Sequence, residues 1–255
     1  MKLSIITINL NNVEGLRKTI ESVVSQTFTD FEYLVIDGGS TDGSVDIIKQ
    51  YQDKIKYWIS EPDKGVYNAM NKGILQAKGE YCLFLNSGDY LYASDVLKKL
   101  FSLQPEEDIV FGNVDNIRFT YPEKLKFSFM FGWTIMHPAS FIKRDLFNTI
   151  GLYNDANKIA SDWCFFMLAL YKYDCSYKHA PVTISVFDED GISSQPQSRE
   201  LMMRERLDFY KKYFPLFYDD YEEFLELKQK YNRSMKDRFL ICLFSIKNAI
   251  WKKKK

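Results

Sequence analysis

The sequence has no excess of charge of either sign. Its 34 Lys and Arg are matched by 34 Asp and Glu. A general nucleic-acid binder carries a clear basic surplus, so the balance argues against that class. Cysteine is scarce, and no two of Cys82, Cys164, Cys175 and Cys242 have the two-residue gap of a zinc knuckle or redox motif. Cys82 and Cys242 lie in apolar runs, where a thiol acts as a small hydrophobe. A reducing compartment is the simpler reading. No apolar run is long enough to cross a membrane. Residues 1–10 are apolar but carry Thr7 and Asn9 and lack a cleavage-site pattern, so they read as a first strand rather than a signal peptide. There is no internal repeat, and Lys252 to Lys255 is the one low-complexity segment. No Gly-rich loop with a lysine is found near the start, which counts against an activating phosphate loop.

What is present suffices for one large α/β domain with a helical extension: 255 residues, 46% of them hydrophobic. Apolar runs at Leu3 to Ile8, Tyr33 to Ile36, Lys56 to Ile59 and Tyr81 to Leu85 read as strands. Between them, helical spacing recurs at Leu16, Ile20, Val23 and Val24, from Val45, and from Val66 to Ala77. Asn11 or Asn12 would cap the first of these helices. Strands alternating with helices imply parallel crossovers with helices on both faces of a sheet. Asn9, Asp37, Asp63 and Asp89 all follow apolar strands and would share one rim, where open α/β sheets bind ligands. Turn chemistry alone would explain four polar strand ends. Three converging carboxylates would repel one another, so a cation or a hydrogen-bonding ligand is the more economical reading.

The second half is less regular. Helices are expected over Val96 to Leu103 and from Trp163 to Tyr171, the latter capped by Ser161 or Asp162; strands are expected over Ile109 to Phe111, Ala139 to Ile142 and Val182 to Val186. Arg118 to Trp133 is aromatic-rich without a period and reads as a covering loop or irregular strands, and Asp188 to Ser194 as a turn. From Arg199 the composition shifts to long charged and aromatic side chains, giving two regions, 1–198 and a helical extension 199–255.

Several ordered motifs carry a resemblance. They are Ser4 to Asn9, Val35 to Gly43, Ser60 to Gly73, Phe84 to Asp89, His137-Pro138 and Ser161-Asp162-Trp163. The set resembles a family 2 glycosyltransferase of the A-type fold: a nucleotide-binding, Rossmann-like, mostly parallel sheet flanked by helices. The resemblance covers about residues 1 to 195. It implies that Thr7, Asn9, Asp37, Ser40 and Asp63 lie around a uridine, with Asp37 accepting from the uracil imide N–H. Asp89 corresponds to a ligand for Mn2+ or Mg2+. Gly88 stands where the family's fullest motif has a second acidic residue that contacts ribose. Asn86, Ser87 or a backbone group would take over part of that contact. His137 would reach the metal or the diphosphate, although a lone His beside Pro also suits a structural role. Trp133, Trp163 and Tyr67 suit sugar stacking or core packing equally.

Asp162 corresponds to the catalytic base, which takes a proton from the acceptor hydroxyl; without the resemblance it reads as a helix cap. The implied activity is inverting transfer from a UDP-sugar to a hydroxyl of a growing, lipid-linked glycan of the cell surface. The rivals are a nucleotidyltransferase and a non-catalytic glycan-binding or scaffold protein. Residues 235 to 251 place Phe239, Cys242, Leu243, Ile246 and Ile250 at helical spacing beside Lys236, Arg238, Lys247 and the Lys tail. This pattern suits peripheral contact of 235–255 with an anionic leaflet or docking on a second subunit in a homo-oligomer. The expected location is the cytoplasm, at the inner face of the cytoplasmic membrane.

Overall fold

The computed structural model describes residues 1–117, 120–191 and 195–220, together with 222, 223, 226 and 230. The chain divides into two units, 1–205 and 206–255. The first holds an eight-stranded sheet in the order β3-β2-β1-β4-β7-β6-β8-β5.

The left half follows from the sequence pattern. β1 (Leu3–Asn9) is buried at every residue, as a strand covered on both faces must be. It pairs in parallel with β2 (Phe31–Asp37) and β4 (Tyr81–Phe84), and β2 pairs in parallel with β3 (Tyr57–Ser60). The crossovers are α1 (Val13–Val24), α2 (Ser44–Gln50) and α3 (Val66–Gln76). Asn12 caps α1, its side chain accepting from Gly15 N at 3.0 Å. Helix α3 lies close on the sheet: a Cβ at Gly73 would stand 2.5 Å from Ile6 Cγ2.

The right half is mixed. After β5 (Tyr90–Leu91) and α4 (Val96–Ser102), β6 (Ile109–Val114) pairs antiparallel with β7 (Ser140–Lys143) and in parallel with β8 (Tyr177–Val186). β7 pairs antiparallel with β4, and β5 antiparallel with β8. Two-residue β5 has no sequence signal, and β8 begins earlier than its apolar end suggests, with half-buried Tyr177 and His179 on either side of exposed Lys178. A short helix, α5 (Phe127–Gly132), stands in the aromatic stretch. A 3-10 turn over His137–Ala139 leads into β7, and α6 (Leu146–Thr149) follows it. Helix α7 (Ser161–Tyr171) is buried nearly all round, which suits its unbroken apolar sequence. Helix α8 spans Ser198–Tyr213.

Cys82, Cys164 and Cys175 are free thiols. Among the described residues no helix is long and apolar enough to cross a membrane. The amphipathic segment 235–255, Cys242 included, lies outside the described residues, as do Arg118 and Ile192 to Ser194.

Candidate active site

The rim reached by the ends of β1 and β4 opens into a cavity of about 630 Å³, a size suited to a nucleotide-scale ligand. Its walls come from the N-terminal ends of α3 and α7, the turn after β4, the 3-10 turn and the turn after β8. Asp63, Asp89, Asp162, Asp188 and Asp190 all line it, with Lys158 the one Lys or Arg on the wall. This surplus of carboxylates favours a cation over a bare anion.

Asp89 is 3% exposed. Burial pushes its carboxyl up to about 7; the Asp188 amide, donating to Asp89 Oδ1 at 2.8 Å, offsets part of that rise, and the Asp188 carboxylate adds to it. Gly88 has φ +107, and a Cβ there would lie 2.1 Å from Asp188 Oδ2. The second carboxylate at this corner therefore comes from the turn after β8, not from position 88. A divalent cation fits such a pair, because it removes the cost of two carboxylates at low exposure. No group of three His, Cys, Asp or Glu able to hold a metal occurs among the described residues. The protein thus supplies part of an oxygen shell that phosphate and water would complete.

His137 lines the cavity but is built into its floor. Its Nε2 lies 2.9 Å from the Tyr153 hydroxyl, and its ring stacks on Phe84 at 4.7 Å. Nε2 is engaged by that hydroxyl, and burial lowers the ring's pKa against the nearby Asp162, keeping it neutral, the form in which an imidazole ligates a metal.

The residues expected around the nucleotide separate into two groups. Asn9, Asp63, Asn86 and Ser87 line the cavity; Thr7, Asp37, Ser40 and Gly88 do not. Thr7 is fully buried with its hydroxyl 3.0 Å from the Tyr33 hydroxyl. Asp37 is fully buried as well. Its Oδ1 accepts from Asn9 Nδ2 at 2.8 Å and Ser40 Oγ at 2.6 Å. Its Oδ2 accepts from the amides of Gly39 and Ser40 and from Ser60 Oγ at 2.6 Å. Burial works against the Asp37 charge, but the bonds from Ser40, Ser60 and Asn9 outweigh it and hold the carboxyl below its ordinary value. These five bonds make Asp37 fix the loop and Asn9. Asn9 Oδ1 and Asn86 Oδ1 are buried acceptors without a partner. Such orphans are costly, and both residues belong to the cavity wall.

Asp162 also lines the cavity. The residue before α7 is Ala160, so neither Ser161 nor Asp162 caps the helix; Asp162 lies in its first turn. Its Oδ1 is 2.8 Å from the Tyr67 hydroxyl, which also lies 2.6 Å from Ile159 O. Burial and the Asp162 charge hold the Tyr67 proton firmly in place, so Tyr67 has one proton that is shared between the Asp162 carboxylate and the Ile159 carbonyl. This replaces sugar stacking as its role. Trp163 is 1% exposed and donates Nε1–H to Met130 O at 2.8 Å, which makes it a core residue. Trp133 is half exposed.

The Glycosyl transferase family 2 model matches residues 4–174. The chain belongs to this family. It is 32% identical over 212 residues to a PGL/p-HBAD biosynthesis glycosyltransferase of Mycobacterium bovis, covering 79% of this chain and 82% of that protein. Its fold is similar to that of S. aureus TarS 1-349 in complex with UDP-GlcNAc, with a TM-score of 0.64 at 19% identity over 83% of this chain and 67% of that one. It also resembles a mannosyltransferase from Pyrobaculum calidifontis in complex with GDP-Man and Mn2+, with a TM-score of 0.65 at 14% identity, covering 83% of this chain and 63% of that chain. As a family 2 member the chain is a glycosyltransferase with an A-type fold.

No motif of the family marks Lys158 or Glu205, and the turn from Asp188 to Ser194 carried no expected metal role. The acidic run Asp188-Glu189-Asp190 directly after a strand was the available signal for Asp188. Lys158 and Glu205 act through backbone groups and leave no local pattern.

Proposed function

We propose that the chain is a metal-dependent, inverting transferase. It moves a sugar from a UDP-sugar to a hydroxyl of a growing, lipid-linked glycan of the cell surface. The observation that carries this reading is one cavity with the Asp89–Asp188 corner and the Tyr67-oriented Asp162 on its walls. Asp162 Oδ2 takes the proton of the acceptor hydroxyl as that oxygen attacks the anomeric carbon. Tyr67 holds Oδ1 and so fixes the direction of the second oxygen. Asn9 Oδ1 and Asn86 Oδ1 accept hydrogen bonds from the base or ribose, and Asp63 and Ser87 flank the same end. Thr7, Asp37 and Ser40 support this group from behind. Asp89 and Asp188 would hold Mn2+ or Mg2+, which supplies positive charge to the departing diphosphate. Lys158 adds a second positive charge on the wall. The UDP-GlcNAc of TarS supports the donor class, and the Mn2+ of the mannosyltransferase supports the cation.

Residues 1–198 form the catalytic region in this reading. Residues 199–255 carry a basic amphipathic end that meets the inner face of the cytoplasmic membrane or a second subunit.

Calorimetry with UDP, GDP and CMP, each with and without Mn2+, tests the donor site. UDP binding that needs Mn2+ and is lost in Asp89→Ala is the expected result. Transfer should fall by about 10² to 10⁴ in Asp162→Ala, the usual worth of a general base. Wild-type transfer by both variants would refute the reading.

A further inference from the structure

We propose that Glu205, on α8 and beyond the segment that matches the family, is a positioning residue that holds the base-bearing end of α7 at the cavity. The proposal rests on Asp162 as the base. Glu205 Oε1 accepts from Lys158 N at 2.6 Å, and Oε2 accepts from Ile159 N at 3.1 Å and Ala160 N at 2.8 Å. One carboxylate thus gathers three successive amides, those of the last three residues before α7. Ala160 has no side chain that could cap the helix, and no local side chain does so. The acceptor comes instead from 45 to 47 residues further along the chain. Hydrogen bonds to an ionised acceptor are about twice as strong as neutral ones, and a negative charge beside a helix N-terminus adds a favourable dipole interaction.

The same stretch is tied from its other side to α3. Ile159 O accepts from the Tyr67 hydroxyl at 2.6 Å, and Lys158 Nζ donates to Lys64 O at 3.1 Å. Ile159 is therefore held by its N–H through Glu205 and by its carbonyl through Tyr67. Tyr67 in turn touches Asp162 Oδ1 at 2.8 Å. From Glu205 to the base the path is one peptide unit and one tyrosine hydroxyl. Glu205 is not on the cavity wall, so it acts through Asp162 and not on substrate. Removing its carboxylate orphans three amides, frees the 158–160 stretch and takes the fixed acceptor away from Tyr67.

The test uses the full chain as wild type, E205A, E205Q, D162A and the double variant E205A/D162A, with kcat, donor KM and UDP affinity measured for each. E205A should lower kcat by about 10- to 100-fold, the cost of misplacing a reacting group by about an ångström, and change donor KM and UDP affinity by much less, since of the groups assigned to the donor only Lys158 lies on the freed stretch. E205Q should lie between E205A and wild type, because its carbonyl still accepts while its amide faces an N–H; it carries the test if E205A does not fold. In the D162A background, E205A should add no further loss, since two residues acting as a unit are non-additive. A merely structural residue would cost the same factor in both backgrounds, or lower kcat and UDP affinity by equal factors, and either result overturns the proposal. So does E205A at wild-type rate while D162A is inactive, which leaves the function reading standing. D162A at wild-type rate removes the base assignment itself, and this proposal with it.

Discussion

At position 88 any side chain would meet Asp188 Oδ2, since a Cβ would lie 2.1 Å from it with φ at +107. Gly88→Ala must therefore displace the turn after β8 or strain the backbone. We expect it to weaken Mn2+ binding by about tenfold or more, the scale of losses when the support of a metal ligand is disturbed, with calorimetry as the readout. Unchanged affinity would show that Asp188 is not part of the metal corner. Asp37 sits at the end of β2, two strands from β4 in the sheet, and answers to pH instead. Its folded pKa lies below the ordinary value near 3.8, so its stabilisation is present above that value and is lost as pH falls through the folded pKa. Asp37→Asn should cost about 1.5–3 kcal/mol at neutral pH, the worth of hydrogen bonds to a charged group. The gap to wild type should shrink in urea unfolding at pH about 3. A gap that stays constant would mean that the charge contributes nothing.

At the scale of elements, propensity and packing disagree at Gly73. In an exposed helix Gly→Ala stabilises by about 1 kcal/mol. In α3 a Cβ at 73 would stand 2.5 Å from Ile6 Cγ2, a branched methyl on a fully buried strand. Ile6 has no room to rotate, so Gly73→Ala should destabilise by about 1–3 kcal/mol, the usual cost of overpacking. A lower urea midpoint with unchanged slope is the expected observation, and a raised midpoint would contradict it. The same contrast explains what was legible in the sequence. β1, β2, β3 and β4 are apolar runs closed by turn residues, and the parallel order follows from the helices between them. β5 and the β6–β7 pairing are chosen by tertiary contact, since a two-residue strand and a four-residue strand carry no period of their own. Asn9 and Asp89 could be placed on one rim because each directly follows a strand. Asp37 could be placed there too, but not its five hydrogen bonds, which depend on Ser60 arriving from β3. Glu205 was out of reach, because its partners are backbone amides, which look alike in every sequence.

Across the whole molecule, zero net charge conceals a separation of charge. The cavity wall carries five aspartates against Lys158, while the chain ends in Lys252 to Lys255 with Lys236, Arg238 and Lys247 close before them. The acidic cavity needs a cation before an anionic nucleotide is welcome. The basic end suits a surface of opposite sign, and its neighbours Phe239, Leu243, Ile246 and Ile250 supply apolar area at helical spacing. Each basic residue near an anionic leaflet contributes about 1 kcal/mol, and the attraction is screened by salt. Deleting residues 235–255 should therefore abolish co-sedimentation with phosphatidylserine vesicles, while turnover of a water-soluble acceptor stays within about twofold, since every residue assigned to the base and its supports lies outside the deleted segment. For the full chain, raising the salt should weaken vesicle binding without abolishing it, because the apolar face is insensitive to screening. Equal sedimentation by both chains would assign this segment to a protein partner, and a shift in oligomeric state on deletion would identify that partner as a second copy.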